Sequence, residues 1–220
     1  MSTNRTCFIV DGFNLYHSLV NLCDFFGTNR KRPVKWLDLK KLCNSQISLA
    51  GRQSGLPGRA ALQAIYYFSA SPTHRSQDHV NRHTLYIECL KSTGVVVQLG
   101  RFKKKDVYCR KCKREFVAHE EKESDVAIAG KLFELCYSNE CETIVMITGD
   151  TDLVPAVKLC KQLFPSKRII IGFPFQRKNK ELANIAHGSF VLSPQLIMGN
   201  QLPDPCIISA GIEFDMPVGW

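Results

Sequence analysis

The hydrophobic run TIVMIT at positions 143–148 constrains the fold of this chain more than any other segment. It contains no charged side chain, and the acidic sequence GDTD follows it directly. A strand that is apolar at every position needs cover on both faces, because a half-exposed strand would alternate apolar and polar residues. We therefore predict that this segment is a central strand of a sheet with helices on both sides.

The rest of the chain alternates strand-like and helical segments. Strands are predicted at 7–10, 64–70, 95–102, 143–148, 168–174 and 189–194, and helices at 13–23, 36–50, 73–93, 124–137, 151–164 and 178–187. This order predicts one α/β domain over residues 1–195, with a central, mainly parallel sheet flanked by helices. Residues 196–220 contain three prolines, and we expect an irregular tail packed on the domain.

Composition bounds the class of protein. With 220 residues, 45% of them hydrophobic, the chain can bury a full core. It has no apolar run of about 20 residues and no signal-peptide pattern, so we expect a cytoplasmic protein without a membrane partner. Its ten cysteines fit a reducing compartment, since several lie inside hydrophobic segments. The sequence carries no signal for an oligomeric state.

Acidic residues follow the predicted strands at several points. Asp11 ends the first strand, Asp150 and Asp152 follow TIVMIT, and Asp125 opens the helix at 124–137. The carboxyl ends of parallel strands and the starts of the following helices face one crevice. We therefore expect these four carboxylates to converge, with Asn14 nearby in the first helical turn.

Four clustered carboxylates repel one another unless a cation lies between them. Oxygen ligands suit Mg²⁺ or Mn²⁺, so Asp11, Asp125, Asp150 and Asp152 are predicted to hold such an ion. Glu121 and Glu123 are near enough in sequence to assist. The alternative is that each acid only complements the dipole of the helix that it begins.

Three segments resemble a known family. FIVDGFNLYH, EEKESDVAIAGKLFEL and IVMITGDTDLVPAV are similar, in order and spacing, to the signature blocks of the NYN (LabA-like) branch of PIN-fold nucleases. The resemblance spans residues 5–195 and implies a Rossmann-like PIN fold. It also implies a metal-dependent (endo)ribonuclease whose partner is RNA (tRNA, mRNA or another class). The catalytic residues implied are Asp11, Asn14, Asp125, Asp150 and Asp152.

Other classes of phosphoryl-transfer protein fit less well. The chain has no G-x-x-x-x-G-K-[ST] motif, which excludes a P-loop NTPase, and no G-x-G-x-x-G after the first strand. A haloacid-dehalogenase-like phosphatase would carry a second acid where Phe13 stands, and a Toprim-like enzyme would carry Glu in place of Asp11. A non-catalytic RNA-binding module of the same fold stays open.

Basic residues are concentrated in one segment. The formal net charge is +9, and residues 101–114 hold eight basic side chains against one acid. Such a segment attracts polyanions, so we predict that it binds the RNA backbone, although a merely solvated hairpin would have the same composition. The predicted RNA-binding side chains are Arg101, Lys103, Lys104, Lys105, Arg110, Lys111, Lys113 and Arg114.

The same segment contains a CxxC pair within a small basic insertion at about 103–119. Cys109 and Cys112 have the spacing of half a zinc site, and His119 could supply a third ligand, which predicts structural Zn²⁺. The alternative is a pair of exposed thiols that are open to oxidation. His17, His74, His79 and His187 are isolated in sequence, and we expect surface or packing roles for them.

Overall fold

The computed structural model describes residues 3–27, 33–208 and 211–218. Within them a seven-stranded sheet has the order β4-β3-β2-β1-β5-β6-β7. Its strands are β1 (Thr3–Asp11), β2 (Arg59–Ser71), β3 (Val96–Cys109), β4 (Arg114–Lys122), β5 (Thr143–Ile147), β6 (Arg168–Phe173) and β7 (Gly188–Val191). The order confirms that the TIVMIT strand lies inside the sheet, and all five residues of β5 are buried.

Within this seven-stranded sheet, neighbouring strands are parallel except the antiparallel pair of β3 and β4. The chain progresses from β1 to β2 on one side and later to β5 on the other, so the winding direction reverses at β1. In α/β proteins ligands bind outside the carboxyl ends of the strands at such a switch point. The end of β1, where Asp11 stands, is therefore the expected position of a site.

Helices cover both faces of the sheet. They are α1 (Gly12–Phe26), α2 (Leu39–Ser54), α3 (Gln77–Ser92), α4 (Ser124–Tyr137), α5 (Val154–Leu163), α6 (Lys180–Ile185) and α7 (Pro194–Gly199). One hydrophobic cluster joins the sheet to α1, α2 and α3, and a second joins it to α4 and α5. Successive residues of β1 divide between them, with Val10 in the first and Ile9 in the second. The alternation holds the acidic strand end between two packed layers.

The third strand is longer in the structure than the sequence predicts. The predicted strand ends at 102, but β3 continues to Cys109 and returns as β4, which the periodicity does not predict as a strand. The extension is exposed along most of its length, so it lacks the apolar alternation that marks a strand packed on a core. The CxxC pair lies at the tip of this hairpin.

The chain after β7 has more regular structure than the irregular tail expected at 196–220. It contains α7 and a small antiparallel pair, β8 (Cys206–Ile207) and β9 (Glu213–Phe214). It packs on the domain through buried Leu202 and Cys206, and the indole nitrogen of Trp36 donates to the carbonyl oxygen of Pro203 at 3.0 Å. No helix in the described part of the chain combines the length and apolar character needed to cross a membrane.

Candidate active site

Asp11 is the last residue of β1 and the N-cap of α1. One carboxylate oxygen, Oδ1, accepts from the backbone N–H of Asn14 at 2.9 Å, and Oδ2 accepts from the hydroxyl of Thr148 at 2.8 Å. The residue is buried, with 5% relative exposure. The strand end and the helix start thus fix the orientation of this carboxylate.

The segment after β5 is tied to the same point. The hydroxyl oxygen of Thr148 accepts from the backbone N–H of Asp150 at 3.1 Å, while Asn14 Oδ1 accepts from the backbone N–H of Gly149 at 3.0 Å. Asp150 in turn caps a 3-10 turn (Thr151–Leu153), accepting from the N–H of Asp152 at 3.0 Å. Asn14, expected near these carboxylates in the first helical turn, uses its side-chain oxygen to hold the turn after β5 against α1.

Two glycines allow this close approach. A Cβ at Gly12 would collide with the backbone oxygen of Phe68 and with the ring of Tyr67. A Cβ at Gly149 would collide with the carbonyl oxygen of Arg177. The DG and GD dipeptides that flank the site therefore use glycine because neighbouring chain leaves no space for a side chain.

The acidic residues act on one another electrostatically. Burial, with smaller contributions from Asp125 and Glu121, raises the pKa of Asp11 to about 6. Burial also raises the pKa of Asp125, as do the charges of Asp150 and Asp152. The structure therefore brings all four predicted aspartates to one edge. We call these four, together with Glu121, the acidic edge.

Glu121, to which the sequence assigns only an assisting role, belongs to this group. It lies near the end of β4, accepts from the hydroxyl of Ser124, and has a pKa raised by burial and by the charges of Asp125 and Asp150. Glu123 instead pairs with Arg101 at 2.7 Å. Glu121 lies within the β4 ladder, opposite Phe102, whereas Glu123 follows the strand with a positive φ of 82°.

The acidic edge is more open than a metal coordination shell. Across the described ranges, no group of three or more His, Cys, Asp or Glu side chains is arranged closely enough to hold a metal ion. The donor chemistry nonetheless fits Mg²⁺ or Mn²⁺, because all of the ligands offered are carboxylate oxygens and their charges repel until a cation is present.

Comparison with known proteins decides the family. The model of the family described as NYN domain matches residues 5–193. The chain belongs to this family of PIN-like nucleases. Membership supports a nuclease or RNA-related function, and NYN proteins of the PIN-like class generally use divalent metal ions.

Individual relatives are more distant. The chain is 26% identical over 213 residues to a protein of Pseudomonas putida (strain DSM 28022 / S16) named 6-hydroxy-3-succinoylpyridine 3-monooxygenase HspA. The match covers 83% of this chain but only 65% of that relative, whose name describes the relative alone. A crystal structure of a protein of unknown function from Vibrio parahaemolyticus RIMD 2210633 has a TM-score of 0.55 at 14% identity. The structural match covers 86% of this chain and 93% of the Vibrio protein, which shows a shared fold.

In this NYN domain the predicted RNA-binding cations lie on the hairpin of β3 and β4, which we call the basic hairpin. All eight are exposed. Glu120 neutralises part of the positive charge of the hairpin. Hydrogen bonds from Lys105 and Lys122 lower the pKa of Glu120 to about 2, so its carboxylate is ionised at neutral pH. Arg101 is paired as well, with Glu123. In the described part of the chain the other six basic residues of the segment 101–114 have no ion-pair partner.

The predicted zinc ligands are not assembled. Cys109 and Cys112 lie together at the hairpin tip, where hydrogen bonds from Cys112 and from the backbone of Lys111 lower the pKa of the Cys109 thiol. His119 pairs with Lys104 five positions along the ladder from Cys109, a distance of about 17 Å at ordinary strand spacing. Its ring stacks on His74 instead, with centroids 4.5 Å apart.

Thr148 is the site residue that the sequence prediction missed. Its hydroxyl donates to Asp11 and accepts from the Asp150 backbone, so it connects the two strand ends at the switch point. The available signal was a polar residue that ends an otherwise unbroken apolar run just before GD. Threonine is common at strand ends, so this signal is weak, and only the parallel pairing of β1 with β5 brings Thr148 to Asp11.

Proposed function

We propose that this NYN domain is a metal-dependent ribonuclease that hydrolyses RNA phosphodiester bonds at the acidic edge. The observation that carries the proposal is the convergence of five carboxylates, from three separate parts of the chain, on the carboxyl ends of β1 and β5. Their mutual repulsion costs stability, and a fold retains such a cost where a function needs it.

The acidic residues would hold one or more Mg²⁺ or Mn²⁺ ions. Asp11, Asp125, Asp150 and Asp152 are the proposed ligands, with Glu121 available to join them. When bound, such a cation polarises a phosphodiester and lowers the pKa of a coordinated water for in-line attack.

The other site residues position the ligands. Thr148 and the Asn14 backbone N–H orient both oxygens of Asp11, and the side chain of Asn14 holds the turn that presents Asp150. Because the Asp11 carboxyl has a pKa of about 6, it is mostly ionised at neutral pH and is available to a cation without a large deprotonation cost. The basic hairpin would contact the RNA backbone beside this edge.

A non-catalytic RNA-binding module is the second candidate. It is favoured by the openness of the acidic edge, where no ligand group is already arranged for a metal within the described residues. Binding by the basic hairpin would not depend on the aspartates. The two candidates therefore differ in one measurable property, which is turnover.

The deciding experiment is incubation of end-labelled structured and unstructured RNAs with the protein, in Mn²⁺ or Mg²⁺ and in EDTA. Hydrolysis by an activated water leaves a 5′-phosphate and a 3′-hydroxyl, and we expect it only with metal. Products that end in a 2′,3′-cyclic phosphate, or cleavage that persists in EDTA, would refute the proposed mechanism. Binding without cleavage of any RNA in either metal would favour the binding module.

A further inference from the structure

A row of ring side chains runs beside the acidic edge. His119 and His74 are stacked, with centroids 4.5 Å apart and planes at 13°, and Phe102 lies 4.4 Å from His74. The widest step, 6.4 Å, leads from Phe102 to Phe13. Two further rings of α1 extend the row, since His17 lies 4.4 Å from Phe13 and Tyr16 lies 5.9 Å from His17. We call these six residues the aromatic row.

The aromatic row borders the acidic edge at its centre. Phe102 of β3 is paired directly opposite Glu121 of β4 in the antiparallel ladder, and such opposite residues have Cβ atoms about 5 Å apart. Phe13 follows Asp11 by two positions, in the first turn of α1. A nucleotide base resting on these rings would therefore place its own backbone close to the carboxylates.

The rings remain accessible instead of forming a core. Phe13 is 40% exposed and Tyr16 is 46% exposed, while Phe102 and His74 are half-buried. Large apolar side chains that stay in water at adjoining positions often mark a binding surface. The rings here also contact one another, so their orientation is set before any ligand arrives.

The charges around the row suit a polyanion. The ammonium group of Lys35 lies 5.9 Å from the centroid of the Tyr16 ring at one end. Lys104, exposed and without an ion pair in the described chain, is directly opposite His119 at the other end. Burial and the charges of His119 and Arg75 lower the pKa of His74, which favours the neutral ring at pH 7. Flat rings between flanking cations match alternating bases and phosphates.

We propose that the aromatic row is a base-stacking platform that holds the bases of single-stranded RNA beside the acidic edge. The inference rests on the proposed ribonuclease function and identifies the residues that bind the bases of its substrate. Stacking needs an open base face, which a paired and stacked duplex does not present. Because every base has such a face, the row would select strand state and not sequence.

The test is equilibrium binding in EDTA, so that no cleavage occurs. The probes are an unstructured 12-nucleotide RNA, the same RNA with its central bases removed, and a 12-base-pair RNA duplex, all fluorescein-labelled and followed by anisotropy. The variants are Phe102→Leu, which keeps apolar volume but removes the ring, and Phe102→Trp, which keeps a ring. Tyr137→Leu is the matched control, because Tyr137 is 77% exposed on α4 and lies outside the row.

We expect Phe102→Leu to weaken binding of the single strand on the order of tenfold, the usual loss for one stacked base. The abasic RNA should bind the wild type less tightly than the intact strand, and Phe102→Leu should add little to that loss. Phe102→Trp and Tyr137→Leu should bind as the wild type. Thermal unfolding of each variant confirms that the fold persists, and Phe13→Leu supplies a second ring deletion if Phe102→Leu is unfolded.

The proposal is overturned if Phe102→Leu and Phe13→Leu bind the single strand as tightly as Tyr137→Leu does. Tighter binding of the duplex than of the single strand, or equal binding of abasic and intact RNA, also overturns it. These outcomes are separate from the fate of the ribonuclease proposal. Metal-dependent cleavage with unaffected binding by the ring variants would sink only the stacking platform, and stacking without cleavage in any metal would sink only the hydrolysis.

Discussion

The acidic edge and the basic hairpin carry opposite charges, and the fold treats them in opposite ways. Asp11 is buried and fixed by two hydrogen bonds, and its pKa is raised by that burial and, to a smaller extent, by the neighbouring carboxylates. Lys105 on the hairpin is exposed and pairs with Glu120 of the facing strand. The first arrangement costs stability and the second costs almost nothing. A charge cluster held against its own repulsion is therefore stronger support for a function than a surplus counted along an exposed segment.

The largest expected effect is a loss of RNA cleavage when a residue of the acidic edge is changed, but not when a residue of the basic hairpin is changed. Asp150→Asn removes a proposed metal ligand but keeps an oxygen that can accept from the Asp152 backbone, so the turn should persist. Because a bound cation contributes several kcal/mol to transition-state stabilisation, RNA cleavage should fall by at least about 10³-fold. Asp106→Asn is the control, since it removes the same charge from the exposed hairpin. Wild-type cleavage rates in Asp150→Asn, measured with labelled RNA and Mn²⁺, would contradict the assignment.

The next effect is on stability without metal. The pKa of Asp11 is raised to about 6 from its ordinary 3.8, so the neutral acid favours folding below pH 3.8 and that advantage is lost as pH rises through 6. Asn is neutral at every pH and has a similar shape. In EDTA, the unfolding free energy of Asp11→Asn relative to wild type should therefore rise by about 3 kcal/mol between pH 3.8 and pH 8.

Urea denaturation at several pH values measures this difference. Asp106→Asn, on the hairpin, should show no comparable trend with pH. A flat difference for Asp11→Asn would mean that the carboxylate is not destabilised by its surroundings.

A smaller effect tests the link between the strand ends. Thr148→Val keeps the shape of the side chain but removes the hydroxyl that orients Asp11 and Asp150. Loss of such a supporting hydrogen bond commonly reduces metal affinity or activity by about 10- to 100-fold. Thr143→Val makes the same change at the other end of β5, where the hydroxyl donates to Asn4, and should lower stability without this loss of cleavage. Equal cleavage by the two variants would show that Thr148 has no special role.

The smallest effect divides the hairpin itself. Replacing Lys103 and Lys104 by Ala should weaken binding of single-stranded RNA roughly tenfold and reduce its salt slope by up to about 0.7 for each lost phosphate contact. Replacing Lys105 and Lys122, which already pair with Glu120, should change both less. Anisotropy titrations at several salt concentrations distinguish the pairs. If the two double variants lose affinity equally, the ion pairs with Glu120 do not reduce the contribution of Lys105 and Lys122 to RNA binding.

The sequence predicted the fold and most of the acidic edge because both depend on local patterns. An unbroken apolar run such as 144–147 needs cover on both faces, whatever surrounds it. Residues that follow parallel strands must share one edge of the sheet, so the order of elements along the chain is enough to assign Asp11 and Asp150 to the same edge. The three family segments coincide with these same positions, and the family match over residues 5–193 agrees with them.

Tertiary pairing decided what local patterns do not contain. The register of β4 against β3 places Glu121 beside the aspartates and Glu120 within reach of Lys105, and it carries His119 to His74 and away from the cysteines. An exposed hairpin has no buried face to fix its register through apolar alternation, so these neighbours could not be derived from the order of residues. The same is true of Thr148, whose role depends on the contact between two strands that lie more than 130 positions apart in the chain. Distant side chains meet where strands pair, and that meeting determines which charges repel and which cancel.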